Sequence, residues 1–202
     1  MGFDWPDVSR ETRERLDIYK ALLCKWNPRI NLVAPSTLDE VEMRHFADSF
    51  QVLNAAPAGF RVWADFGSGG GFPGLIVALA CSDMIAPPRV IMVESDTRKC
   101  AFLRTVLRET GVRAEVKSER VEDLDPLNAD IASARALAPL STLLEYFERH
   151  VAPDGSAVFL KGERWKEEVQ EAESRWKFDL QTTKSCTNTS AKILQISKVS
   201  RV

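Results

Sequence analysis

Histidine and cysteine are scarce in this chain of 202 residues, with two and four copies. Cys24, Cys81, Cys100 and Cys186 show no CxxC spacing and no neighbouring histidine, so no metal site is written in the pattern. They read as reduced, mostly structural thiols of a cytoplasmic protein. No apolar run reaches the roughly 18 residues that a membrane span needs. The segment Met1 to Arg15 is charged and lacks the apolar stretch of a secretory leader. The chain is therefore expected to be soluble and cytoplasmic, with no membrane partner. Excess charge is missing too: 27 Lys/Arg face 29 Asp/Glu, a net −2. A nucleic-acid partner would have to meet a local basic face. Residues 161–202 carry nine Lys/Arg against six Asp/Glu, while the first sixty carry seven against nine.

What is present falls into two pieces: a helical extension over residues 1–60, and one compact α/β unit over 61–202. From Ser9 to about Asn27, Leu16, Tyr19, Leu22, Leu23 and Trp26 recur at three- and four-residue intervals, the spacing of an amphipathic helix. Asn27-Pro28 is expected to stop it. A second helical stretch begins at Ser36 with Asp39 as a capping-box partner, and runs with a break to Ala56.

From Arg61 the texture alternates. Strands are expected at Val62–Phe66, Val90–Val93, Ala114–Val116, around Ile131 and at Ala157–Leu160. Helices are expected at Gly74–Ala80, Thr97–Thr110, Leu140–His150 and Glu163–Arg175. This alternation calls for a parallel sheet covered on both faces. The end breaks it: Phe178–Thr183 and Ile193–Val199 are strands joined by a short polar link, which can only pair antiparallel. Seven strands, mostly parallel and ending in an antiparallel hairpin, resemble the Rossmann-like class I methyltransferase fold.

The richest motif is the run Asp65-Phe66-Gly67-Ser68-Gly69-Gly70-Gly71-Phe72-Pro73-Gly74, after a strand and before a helix. Glycine permits positive φ and leaves no Cβ to obstruct a ligand on the backbone. The helix start that follows offers N–H groups to an anion. Gly69, Gly71 and Gly74 also fit the G-x-G-x-x-G spacing of NAD sites, so the glycines alone do not choose a cofactor. Asp65, two residues before the first glycine, is typical of S-adenosylmethionine enzymes and suits the methionyl ammonium. Glu94, at the next strand end, suits the ribose hydroxyls of either cofactor.

After the fourth strand comes Asp130-Ile131-Ala132-Ser133-Ala134-Arg135-Ala136-Leu137-Ala138-Pro139. It holds no Asn/Asp-Pro-Pro-aromatic motif for methylating exocyclic amines. No cysteine lies between Cys100 and Cys186 for attack on a pyrimidine C5. Arg135 is left, with a planar fork for a carboxylate, a phosphate or a base edge, or for a plain salt bridge.

These residues together resemble the RsmG (GidB) family of bacterial small-subunit ribosomal RNA guanine-N7 methyltransferases. The likeness rests on Trp26-Asn27-Pro28-Arg29-Ile30-Asn31-Leu32-Val33, Arg44-His45-Phe46-Ala47-Asp48-Ser49, the Gly67–Gly74 loop and Glu94-Ser95. It continues in Arg120-Val121-Glu122, Ser133-Ala134-Arg135-Ala136 and Leu160-Lys161-Gly162. The resemblance implies S-adenosylmethionine as donor, S-adenosylhomocysteine as product, and small-subunit rRNA as partner, free or within an assembled or assembling subunit. It implies donor contacts at Gly67, Phe72, Val121, Glu122 and Arg135, beside Ser68, Gly69, Gly71 and Glu94 of the loop and strand end. Asn27, Asn31, His45 and Lys161 are carried over as substrate contacts. Physically, Asn27 reads equally as a helix cap and Asn31 as a turn residue. His45 and Asp48 share a helical face, closing either over the site or into a polar brace. Lys161 suits an RNA phosphate or a solvated strand end. Arg29, Arg164 and Lys166 complete the expected RNA-facing cations.

No acid/base dyad and no metal cluster stand out, and guanine N7 needs neither, since its lone pair carries no proton at neutral pH. The expected chemistry is direct in-line displacement, driven by positioning and fixed dipoles. The other reading of the same residues is a non-catalytic sensor that binds S-adenosylmethionine or NAD.

Overall fold

In a computed structural model, residues 8–202 are described. The first seven residues of the Met1–Arg15 segment lie outside them. Helix α1 (Arg10–Ile30) starts under Ser9, whose hydroxyl accepts the Thr12 N–H. Its buried side is Leu16, Tyr19, Leu23 and Asn27. The helix does not stop at Asn27-Pro28 but continues one turn to Asn31, which closes it at φ 46. Proline there deprives only the Cys24 carbonyl of a donor, and Cys24 is exposed, so water can serve it.

The second helical stretch is three pieces: a 3-10 segment (Pro35–Glu40), a π turn (Glu42–Phe46) and α2 (Ala47–Ala55). The expected Ser36/Asp39 capping box does not form. Pro35 takes the first position and no side chain caps it.

Seven strands follow in one sheet: β1 (Val62–Phe66), β2 (Arg89–Val93), β3 (Glu115–Lys117), β4 (Ala129–Arg135), β5 (Val151–Lys161), β6 (Trp176–Lys184) and β7 (Lys192–Arg201). Their order is β3-β2-β1-β4-β5-β7-β6. β1 to β5 are parallel, and β7 pairs antiparallel with both β5 and β6. Helices α3 (Gly74–Cys81), α4 (Thr97–Thr110), α5 (Leu140–His150) and α6 (Trp165–Glu173) fill the crossovers. This is the class I methyltransferase arrangement expected of the sequence.

Two apolar cores flank the sheet. One joins α1, the π turn, α2, α3 and α4, with Tyr19, Phe46 and Phe72 stacked at centroid distances of 5.1 and 5.4 Å. The other joins α5, α6 and the opposite strand faces around Phe66, Phe159 and Trp176. Trp176 is buried there with Trp165 packed against the cluster, which makes both packing residues. The helical N-terminal segments thus cover one sheet face and lean over the end of β1. Among the described residues, no helix is long and apolar enough to cross a membrane.

Candidate functional site

The carboxyl ends of β1, β2 and β4 meet at the point where the strand order reverses, the place where open α/β sheets bind ligands. Asp65 lies there with no exposed surface, in register with Ser133 across β1 and β4. The Ser133 hydroxyl donates to Asp65 Oδ1 at 2.7 Å and accepts the Trp63 indole N–H at 2.8 Å. The Gly74 N–H donates to Asp65 Oδ2 at 3.1 Å. Burial raises the Asp65 carboxyl to about 6, against the hydrogen bonds that hold it down. Asp65 therefore anchors the loop instead of presenting a free carboxylate. The start of α3 is likewise closed internally, with Gly74 on Asp65 and the Leu75 N–H on the Gly71 carbonyl at 2.9 Å.

Glu94 works in the same way from β2. Its Oε2 accepts the Gly69 N–H and its Oε1 the Asp96 N–H, both at 2.8 Å. Each oxygen keeps a second acceptor site for a ligand hydroxyl. The glycines divide the work. At Gly71 (φ 101) a Cβ would strike Leu75 and come within 2.6 Å of the Tyr19 hydroxyl, so this glycine serves packing. At Gly69 (φ 55) a Cβ would find nothing closer than a carbonyl at 3.8 Å, so this glycine faces open space. Tyr19 donates to the Gly70 carbonyl at 2.5 Å, a brace from α1 that the helical spacing registered only as an inward apolar position.

Two cavities meet at this loop, and a third adjoins them. One of about 390 Å³ is lined by Gly67, Gly69, Glu94, Val121, Glu122 and Leu137. A second, of about 550 Å³, shares Gly67 and Gly69 and adds Ser68, Phe72, His45, Asp48 and Arg135. A third, of about 530 Å³, continues past Asp48 and Arg135 to Leu137, Lys161 and Asn188. The first suits an adenosine: a carboxylate with spare lone pairs for a diol, a glycine without Cβ, and a far end bounded by Val121 and Glu122. At that end Tyr146 donates to Glu122 at 3.3 Å and His150 donates to the Val121 carbonyl at 2.8 Å.

In the second cavity, Arg135 sets the electrostatics. Its guanidinium lies 4.7 Å from the Phe72 ring centroid and donates through Nη1 to His45 Nδ1 at 2.8 Å. Arginine only donates, so His45 carries its proton on Nε2 and gives it to Thr37 Oγ1 at 2.7 Å. The Thr37 hydroxyl then donates to the Ala34 carbonyl at 2.8 Å. Burial, with the Arg135 charge beside it, pushes His45 down to about 4. The ring is neutral at pH 7 with both nitrogens engaged.

Asn27 is buried with its Oδ1 on the Val33 N–H at 2.8 Å, and exposed Asn31 caps α1. Both shape the turn that carries Leu32 and Val33 to the second cavity. Lys161 is neither a free phosphate contact nor a solvated end. It is 7% exposed and bonds Glu168 at 2.5 Å and the Ala138 carbonyl at 2.8 Å. Glu168 also accepts the Leu140 N–H at the start of α5, so the pair is spent on joining α6 to the β4–α5 loop. Arg29, Arg164 and Lys166 are exposed. Among the described residues, no group of three or more His, Cys, Asp or Glu is placed to hold a metal ion.

Sequence reasoning missed the part played by the β6–β7 link. Asp48 Oδ1 accepts from Ser185 Oγ at 3.3 Å and from Thr187 Oγ1, tying that link to α2. Thr187 and Asn188 also line the second cavity.

Comparison with known proteins points one way. Residues 12–197 match the family profile of GidB, described as rRNA small subunit methyltransferase G. The chain is 50% identical over 196 residues to ribosomal RNA small subunit methyltransferase G of Ruegeria sp. (strain TM1040), covering 97% of this chain and 95% of that protein. It is 51% identical over 190 residues to the protein of the same name from Paracoccus denitrificans, covering 94% and 96%. In fold it is similar to a putative S-adenosyl-L-methionine-dependent methyltransferase from Methanococcus maripaludis, at TM-score 0.59 and 11% identity, covering 98% and 97% of the chains. M. jannaschii TYW2, solved in complex with AdoMet, gives TM-score 0.59 at 13% identity, covering 87% of this chain and 80% of that one.

Proposed function

The chain belongs to the family of rRNA small subunit methyltransferase G, S-adenosylmethionine-dependent enzymes of small-subunit rRNA, and we propose that it methylates guanine N7 by direct in-line transfer without a general base. The observation that carries this reading is the adjacency of the two cavities through Gly67 and Gly69. One suits the donor's adenosine and the other an acceptor base.

When bound, the donor supplies an electrophilic methyl on its sulfonium. Glu94 takes the ribose hydroxyls, Val121 and Glu122 flank the adenine, and Gly67, Ser68 and Gly69 let the donor lie on the backbone. Gly71 packs the loop on Leu75 and Tyr19, and Phe72, with Arg135 over its ring, faces the donor's polar end. His45 is an unsuitable base, because Arg135 occupies its Nδ1 and its Nε2 is already protonated. That supports an acceptor atom with no proton to lose, which guanine N7 is. Rate then comes from holding donor and acceptor within attack distance. Arg29, Arg164 and Lys166 meet the RNA backbone, so binding weakens as salt rises. The subunit, free RNA or assembled, is met through these exposed cations.

The test is transfer of labelled methyl from S-adenosylmethionine to small-subunit rRNA, followed by nucleoside digestion. Label in N7-methylguanosine is the expected result. Donor binding without transfer would favour the sensor reading, and label in another nucleoside would overturn the acceptor assignment.

A further inference from the structure

We infer that Asp48 is the specificity-determining residue for the acceptor base, accepting the N1–H and N2–H of guanine on Oδ2. The inference rests on the guanine-N7 reading above. Asp48 is 9% exposed and stands between the second and third cavities, lining both together with Arg135. Its two oxygens are used unequally. Oδ1 accepts from Gln51 Nε2 at 3.3 Å, from Ser185 Oγ at 3.3 Å and from Thr187 Oγ1. Among the described residues, Oδ2 has no hydrogen-bond partner. A carboxylate held by three donors on one oxygen loses little freedom when the other binds a ligand.

The chemistry of the wall is that of a guanine edge. Guanine presents O6 as an acceptor beside the N1–H and N2–H donors, and Arg135 retains N–H groups beyond the one given to His45. Adenine presents the reverse, an N6 donor beside the N1 lone pair, which would set acceptor against acceptor at Asp48. The wall therefore favours guanine and opposes adenine with the same two side chains. N2 lies across the purine from the imidazole ring, so a base held at Asp48 leaves N7 free towards the donor cavity.

The experiment pairs one protein change with one base change. Small-subunit rRNA is ligated with guanosine or inosine at the methylated position; inosine keeps N7 and N1–H but lacks the N2 amine. The native enzyme is expected to prefer guanosine by about ten- to hundredfold in kcat/KM, the worth of one hydrogen bond to a charged acceptor. Asp48→Asn keeps an oxygen for the hairpin hydroxyls and puts a donor where Oδ2 stood, so the preference should collapse towards one. Ser185→Ala loosens the brace without touching Oδ2, and should lower both substrates alike with the preference kept. Retention of the native preference in Asp48→Asn, or its loss in Ser185→Ala, would overturn the inference while the N7 product stands. A product other than N7-methylguanosine would overturn the reaction reading, and this inference with it.

Discussion

Asp65 and Asp48 are both buried carboxylates at the same crevice, one on the donor side and one on the acceptor side. Asp65 has both oxygens taken from inside, by Ser133 and by the Gly74 backbone. With Glu94 it fixes a loop whose working surface is backbone. Asp48 has one oxygen taken, by hydroxyls of the β6–β7 link. With Arg135, His45 and Thr37 beside it, this makes a wall of side chains from three segments far apart in sequence: the 37–48 stretch, the end of β4 and the β6–β7 link. The donor wall is a local motif held rigid, and the acceptor wall is a long-range assembly with polar atoms left over. A loop that must fit one cofactor is best built from backbone; a surface that must choose a base needs side chains.

The largest effect is expected on the donor wall. Gly69→Val finds open space within the protein, so the fold should survive at a strain cost of about 1–2 kcal/mol. The side chain then stands where the donor would lie, and S-adenosylhomocysteine affinity should fall at least about 100-fold, equivalent to about 2.8 kcal/mol. Calorimetry showing native affinity in the folded variant would remove the donor from this loop.

Arg135 lies between the walls and should give the next largest effect. Arg135→Lys keeps the charge but loses the planar fork against His45 and Phe72, and kcat/KM should fall about tenfold. Arg135→Ala should fall about 100-fold, the cost of a misplaced substrate. Native rates in both variants would reduce Arg135 to a structural residue.

The smallest effect is on stability, and here the two walls oppose each other. Asp65 titrates at about 6 in the fold, above the usual 3.9 of the unfolded chain, so its contribution declines as pH rises from about 4 to 6. His45 titrates at about 4, below its usual 6.5, so its contribution is full above pH 6.5 and is lost as pH falls to about 4. Over the shared window the two slopes cancel in part. Denaturation across pH 4 to 6.5 should show His45→Gln exposing the Asp65 decline and Asp65→Asn exposing the His45 rise. Each slope is at most about 1.4 kcal/mol per pH unit. Parallel pH profiles for both variants would contradict the opposition.

The same division explains what the sequence disclosed. Helices α4 and α5 run from Thr97 to Thr110 and from Leu140 to His150, the bounds read from periodicity, and α4 lies between an Asp96 cap and Gly111. The donor wall was legible because strand, glycine loop, helix and acidic strand end are consecutive and each has a local cause. Pro28 misled because a proline one turn from a helix end costs a single exposed carbonyl its partner. Lys161 misled because its partner Glu168 sits on the following helix, where spacing does not show that the two meet. The Asp48–Thr187 bond spans 139 positions and obeys no period, so only the folded chain brings it into view.

The central claim, methyl transfer to guanine N7 at this crevice, meets its most direct test in the RNA product. Methylation at N7 makes the glycosidic bond labile, so borohydride followed by aniline should cut small-subunit rRNA at one guanine after incubation with the native protein and S-adenosylmethionine. Gly69→Val should leave that RNA intact. Methyl label recovered in ribose, in adenine or on protein, with no such cleavage, would contradict the account.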